Sequence, residues 1–248
     1  MSSNIMMIVM IVGLGILALV SGMLGLGVAF SAVPFLSLFL PDLVNQVQPL
    51  SLLLNGLTAL SSTFGFAKSG YVVWKKAIIL AVVTTISAPF GAYLAHFINP
   101  TYIWYVYLVS VLYLAYRLFR KTKNERAGKE HFTAAVLLAI PIAVLGGFLG
   151  IGPGFLLMPT LILLGFEEKK AAGINAFAVT LPSFSALIPH LSTAKIDWSL
   201  AVPLIVVGTL GAFFGARITS LYVPGKKLKQ MFGIFIVIMT LYKIYTLF

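Results

Sequence analysis

Apolar residues run along this chain in long stretches, and their Gly, Pro and charged punctuation divides them into ten segments. The segments cover residues 5–24, 28–41, 46–67, 75–97, 101–119, 131–149, 153–166, 170–190, 198–221 and 226–246. A helix rises about 1.5 Å per residue, so the second and seventh segments reach only about 20 Å against a hydrocarbon core of about 30 Å. The other eight can cross. The pattern predicts an all-α integral membrane protein with eight spanning helices and two short half-helices.

The chain also repeats itself. Gly22-Met23-Leu24-Gly25-Leu26-Gly27 followed by Pro34 matches Gly147-Phe148-Leu149-Gly150-Ile151-Gly152 followed by Pro159. Gly91-Ala92 matches Gly215-Ala216, and Trp74 matches Trp198. Landmarks kept in order at nearly one offset point to a duplication into halves 1–124 and 125–248, forming one compact membrane domain. Five segments per half is an odd number, which predicts that the second half is inverted relative to the first. With the N-terminus outside, this topology puts fifteen of the 17 Lys and Arg residues in inside loops, leaving Lys195 and Lys243 outside. Counting 5–41 and 131–166 as single crossings, with parallel repeats, splits them eleven to six. The positive-inside rule favours the inverted repeat.

Composition agrees with a lipid environment: hydrophobic residues make up 60% and charged residues 9%. So few charges cannot cover a water-soluble surface of this size. The net charge of +11 needs no nucleic-acid partner, because membrane proteins keep Lys and Arg in cytoplasmic loops. The absence of cysteine excludes disulfides, thiolate metal sites and thiol nucleophiles. Met1–Asn4 lacks the positive region of a secretory signal, so the first segment is expected to be a retained helix.

If segments two and seven cannot cross, each closes a re-entrant hairpin whose glycine tip lies within the membrane. Such bent backbone is tolerated only where protein or a watery cavity satisfies it. Each short helix then begins at its tip with free N–H groups and a positive dipole end, which suits an anion. The tip residues expected to line the substrate site are Gly25, Gly27, Val28 and Ala29, with Gly150, Gly152, Pro153 and Gly154 opposite. A polar stripe joins them. Ser51, Asn55, Thr58 and Ser62 share one face of the third segment, and Asn175, Thr180, Ser183 and Ser185 lie on the eighth. Ser51, Asn55, Asn175 and Ser183 are the expected substrate contacts among them. Helix packing and inter-helix hydrogen bonding are the structural alternatives for the glycines and the stripe. Arg217 and the histidines His96, His131 and His190 fall near segment ends and read as interfacial anchors.

The Gly-x-x-Gly-x-Gly turns followed by a proline seven residues later resemble the sulfite exporter TauE/SafE family, the second copy more closely. Gly211-Ala212-x-x-Gly215-Ala216-Arg217 and Ile196-Asp197-Trp198 are also similar to that family. Two departures are Val28-Ala29, where the family tends to have more glycine, and Tyr93 at the position of Arg217. The resemblance implies transport of sulfite, sulfonates or related small oxyanions.

All six carboxylates, Asp42, Glu125, Glu130, Glu167, Glu168 and Asp197, fall at segment ends or in loops, which removes the usual proton relay or cation ligand. An inside-negative potential drives a monovalent anion outward with about 2.3 kcal/mol per 100 mV, so export by alternating access is the expected direction. A passive anion channel and cation-coupled uptake of a sulfonate or carboxylate are the alternatives. No enzyme motif is present, and Ser185 and His190 are too awkwardly spaced on one helix for a dyad. The expected partners are a small anion and the lipid bilayer, without cofactor, metal or nucleic acid, and a homodimer is compatible with the sequence. The expected location is the cell membrane, with both termini outside.

Overall fold

The computed structural model describes residues 3–119 and 130–228, with single positions beyond. All regular structure among the described residues is helical. Helix α1 covers Ser3–Met23, α2 Ala29–Leu36, α3 Gln48–Ala67, α4 Trp74–Ala95 and α5 Pro100–Phe119. Helix α6 covers Phe132–Leu149, α7 Gly154–Leu163, α8 Glu168–Leu187 and α9 Trp198–Tyr222. A wide π turn at Leu43–Val47 leads into α3, and a 3₁₀ turn at Ile188–His190 extends α8.

Among the described residues, six stretches are long and apolar enough to cross a membrane: those of α1, α3, α4, α6, α8 and α9. The tenth expected segment, 226–246, lies largely outside the described residues, as does most of the polar stretch 117–130. The two short helices are shorter than expected. At eight and ten residues, α2 and α7 extend only about 12 and 15 Å. After Leu36 the chain leaves the helix through turns bonding Leu38 N–H to Phe35 and Phe39 N–H to Leu36, although its sequence stays apolar.

Small residues bring the helices together while many long apolar side chains stay exposed. On α9, Val202, Val206, Leu210 and Phe214 are exposed, whereas Ala201, Gly208, Ala212, Gly215 and Ala216 are buried. Where the surrounding solvent is lipid, apolar burial does not drive association, so close backbone approach and hydrogen bonding hold helices together. Glycines provide that approach. A Cβ at Gly215 would strike the Leu19 carbonyl, and one at Gly22 would strike Ala212, so α1 lies directly on α9. The same pair of contacts recurs between α6 and α4, where Gly91 lies against Val144 and Phe148 and Gly147 against the Ala88 carbonyl. Gly22 and Gly147 are thus packing glycines.

Helix directions follow from the contacts. Gly15 meets Val207 and Gly22 meets Ala212, so α1 and α9 run the same way. Thr58 meets Gly208 and Gly65 meets Ala216, so α3 runs with them. Helix α8 runs against α3: Lys169 at its start lies over the Tyr71 ring beyond the end of α3, and the Lys195 N–H beyond its own end donates to Asn45 before α3.

Basic residues gather at one end of the bundle. Lys68 stands over Phe213, Lys76 pairs with Glu130 and covers Phe166, Lys169 donates to the Ser220 carbonyl, and Arg217 donates to Ser69. Asp42, Asn45, His96, His190 and Lys195 gather at the other.

Two prolines are compensated across a helix pair. Pro182 in α8 has no N–H for the Ala178 carbonyl, and the Thr84 hydroxyl of α4 stands 2.9 Å from that carbonyl, sharing its one proton between it and the Leu80 carbonyl at 2.8 Å. Pro89 in α4 leaves the Thr85 carbonyl without its helical partner, and the Ser185 hydroxyl of α8 donates to it at 2.8 Å. Ser185 therefore serves helix packing, away from any pairing with His190.

Candidate functional site

Each short helix starts at a turn that only glycine enters easily. Gly25, Gly27, Gly150 and Gly152 have φ of 65°, 70°, 69° and 70°, a region that costs roughly 1–2 kcal/mol for residues with a Cβ. In the first turn, Leu24 and Leu26 N–H bond to Ser21 and Gly25 N–H to Gly22. In the second, Ile151 and Gly152 N–H both bond to Gly146 and Gly150 N–H to Gly147. These bonds satisfy the carbonyls at the ends of α1 and α6 and turn the chain back on itself.

The two tips converge. A Cβ at Gly27 would strike the Asn55 side-chain oxygen, and one at Gly152 would stand 2.5 Å from the Asn55 amide nitrogen. The Leu26 carbonyl lies 2.6 Å from where a Cβ of Gly154 would be. Phe30 and Phe155, in the first turns of α2 and α7, stack with centroids 5.3 Å apart, and Tyr107 packs on Phe30 from α5. The Tyr107 hydroxyl donates to the Phe30 carbonyl at 3.1 Å.

The polar stripe of α3 is fully buried, and its Asn55 and Thr58 face this junction. Asn55 Oδ1 accepts from Ala29 N–H at 2.9 Å, and Thr58 Oγ1 accepts from Val28 N–H at 3.1 Å, so these two side chains cap α2. Asn55 Nδ2 donates to Ser183 Oγ at 2.8 Å, and Ser183 donates onward to the Val179 carbonyl at 2.5 Å. Ser62 donates to Ala212 in α9 at 3.4 Å, a packing role. On α8, Asn175 Nδ2 donates to the Gly25 carbonyl at 2.7 Å. Ser51 is buried, and its hydroxyl has no partner.

The tips are not equivalent. Pro153 precedes α7, brings no N–H, and makes no capping bond of its own. At the α7 start, Val179 and the Asn175 amide both crowd Gly154, 2.9 and 3.1 Å from its Cβ position.

Eleven of the twelve expected contact residues fall at or beside this junction by their bonds or close approaches, and the twelfth, Ser51, lies buried one turn before Asn55 with its hydroxyl unpartnered. Gln48 is the residue missed. It is buried, donates from Nε2 to the Phe148 carbonyl at 3.2 Å, and would collide with a Cβ at Gly150. Its sequence signal is its place three residues before Ser51 and seven before Asn55, on the face of the same stripe. The site is uncharged in its side chains: among the described residues no Asp, Glu, Lys or Arg is buried. Negative charge there can be met only by backbone N–H groups, helix dipoles and hydroxyl or amide groups.

The sequence profile of the sulfite exporter TauE/SafE family matches residues 9–243. The chain belongs to that family. A probable membrane transporter protein, YunE of Bacillus subtilis, is 28% identical over 243 residues, covering 86% of this chain and 87% of the relative. A probable membrane transporter protein of Xylella fastidiosa is 26% identical over 93% of this chain and 92% of its own length. An Arabidopsis thaliana protein named sulfite exporter TauE/SafE family protein 3 shares 26% identity over 38% of this chain and 21% of its own. No solved structure gives a significant match. This chain is therefore a membrane transporter of the TauE/SafE family.

Proposed function

We propose that the chain carries a small oxyanion, sulfite or an organosulfonate, out of the cell by alternating access around the junction of the two tips. The observation that carries the reading is the convergence of Gly27 and Gly152 on one side chain, Asn55, from two different hairpins. A site shared by two hairpins can open to either side if one withdraws while the other stays. Members of this family are named for sulfite export, and a site without buried charged side chains suits a small anion held by dipoles and amides.

The inverted repeat is part of the proposal. It is supported by the recurrence of the α1–α9 contacts between α6 and α4, and by the opposed directions of the matched helices α3 and α8. Phe30 and Phe155, 125 residues apart, stack on each other as residues beside a two-fold axis would. The end bearing Lys68, Lys76, Lys169 and Arg217 is assigned to the cytoplasm by the positive-inside rule, with both termini outside at the cell membrane. An inside-negative potential then favours export.

The test is anion flux in proteoliposomes. Gly27→Leu or Gly152→Leu, in protein that remains folded and monodisperse, is expected to abolish sulfite flux. Flux like that of the unmodified protein in both variants overturns the site. Saturation and stimulation by trans anion are expected of a carrier, whereas single-channel currents would make the protein a pore.

A further inference from the structure

The hydrogen bonds of the junction are unevenly spent. Asn175 is fully buried, its Nδ2 is committed to the Gly25 carbonyl at 2.7 Å, and its Oδ1 has no partner. Gln48 is built alike, with Nε2 committed to the Phe148 carbonyl and Oε1 unpartnered. The backbone acceptors orient both amides, so each keeps an unpartnered oxygen beside one remaining amide hydrogen. The Asn175 amide stands against the start of α7, its Nδ2 3.1 Å from the Cβ position of Gly154. Asn55 and Thr58 accept from the N–H groups that open α2, whereas α7 is preceded by Pro153, which has no N–H and makes no capping bond.

A ligand that completes these groups must offer two things. It needs negative charge for the N–H groups opening α7, and a hydrogen for the oxygen beside them. An oxyanion with no hydrogen would satisfy the helix start and press its own lone pairs towards a buried carbonyl oxygen. Unpaired buried acceptors reject such analogues strongly. We infer that the junction selects a monoanion whose head group still bears an O–H, its charged oxygens at the start of α7 and its hydroxyl donated to Asn175 Oδ1. Hydrogen sulfite is the simplest sulfur oxyanion of that class. The inference rests on the anion site proposed above and adds the protonation state that the site takes.

Methylphosphonate and methanesulfonate test it, because at mildly acidic pH both are tetrahedral monoanions of similar size and only the phosphonate carries an O–H. Their binding to the full-length purified protein is measured by calorimetry. Methylphosphonate is expected to bind about tenfold more tightly or better. Its advantage should vanish as rising pH removes the last phosphonate proton. In folded Asn175→Leu the two ligands should bind within about twofold of one another. Equal affinity in the unmodified protein overturns the inference and leaves an anion site standing, as does an advantage that persists in Asn175→Leu or grows with pH. Binding of neither ligand overturns the anion site itself. The comparison in the unmodified protein decides the matter even if the variant does not fold.

Discussion

The Asn55 amide donates to the Ser183 hydroxyl at 2.8 Å, joining α3 to α8 across 128 residues of sequence. The oxygen of the same amide accepts from Ala29 N–H, so one side chain ties the first tip to the second half of the protein. Asn55→Leu keeps the volume and breaks both bonds, leaving a buried N–H at the start of α2. A loss of about 2 kcal/mol of stability is expected, read as a lower melting temperature in detergent, with Ser183→Ala costing less. No change in Asn55→Leu would show that the tip is held by packing alone.

Thr84 and Ser185 each replace an N–H that a proline lacks in the neighbouring helix. Thr84→Val and Ser185→Ala should each cost about 1 kcal/mol, in the range of inter-helix hydrogen bonds in membranes. Restoring the missing donor gives the sharper check. Pro182→Ala in the Thr84→Val background should recover most of the loss, and unfolding in a graded denaturant series measures it.

Gly91 and Gly215 occupy matched places where a Cβ meets a facing backbone carbonyl, of Val144 in one case and Leu19 in the other. Alanine at either position should destabilise by about 1–3 kcal/mol by forcing the helices apart. The two effects should be alike if the halves pack equivalently. Gly70 has open space around it but a φ of 74°, so Gly70→Ala should cost only the backbone term, about 1 kcal/mol.

Asp42 and Asp197 cap helix starts at the end of the bundle opposite the lysines, and both carboxyls are held below their ordinary value. Burial pushes Asp42 upward, but the Asn45 side chain and N–H, with Lys195 nearby, outweigh it. Asp197 is lowered by the hydroxyl and N–H of Ser199. Depressed carboxylates stabilise the folded state above the unfolded value of about 3.9 and lose that contribution as pH falls through the folded value. The melting temperature should therefore drop on acidification through and below the carboxylate range. Asp42→Asn and Asp197→Asn should each flatten that acid limb, and an unchanged limb in the double variant would assign it elsewhere.

Segment limits are legible where charge or glycine interrupts an apolar run. The expected 75–97 and 198–221 correspond to α4 at Trp74–Ala95 and α9 at Trp198–Tyr222. The ends of α2 and α7 are not legible, because Phe39, Leu40 and Leu164 continue the apolar pattern after the helix has turned. The polar stripe is legible as a face, since its spacing follows helical periodicity. Its division of labour is not: Thr58 caps a tip, Ser62 binds α9, and Ser51 binds nothing polar.

By itself the sequence determined that this chain is helical, built for lipid and marked by two similar glycine-rich turns, because hydropathy, charge and motif spacing are properties of the chain read along its length. Only the tertiary structure decided that Gly22 and Gly147 pack helices while their neighbours Gly25, Gly27, Gly150 and Gly152 turn the chain. It also decided that Asn55 serves both tips and that Asn175 keeps an oxygen free. A glycine's backbone angle and an amide's unpaired atom depend on what lies opposite, and here the opposite partner comes from the other half of the chain.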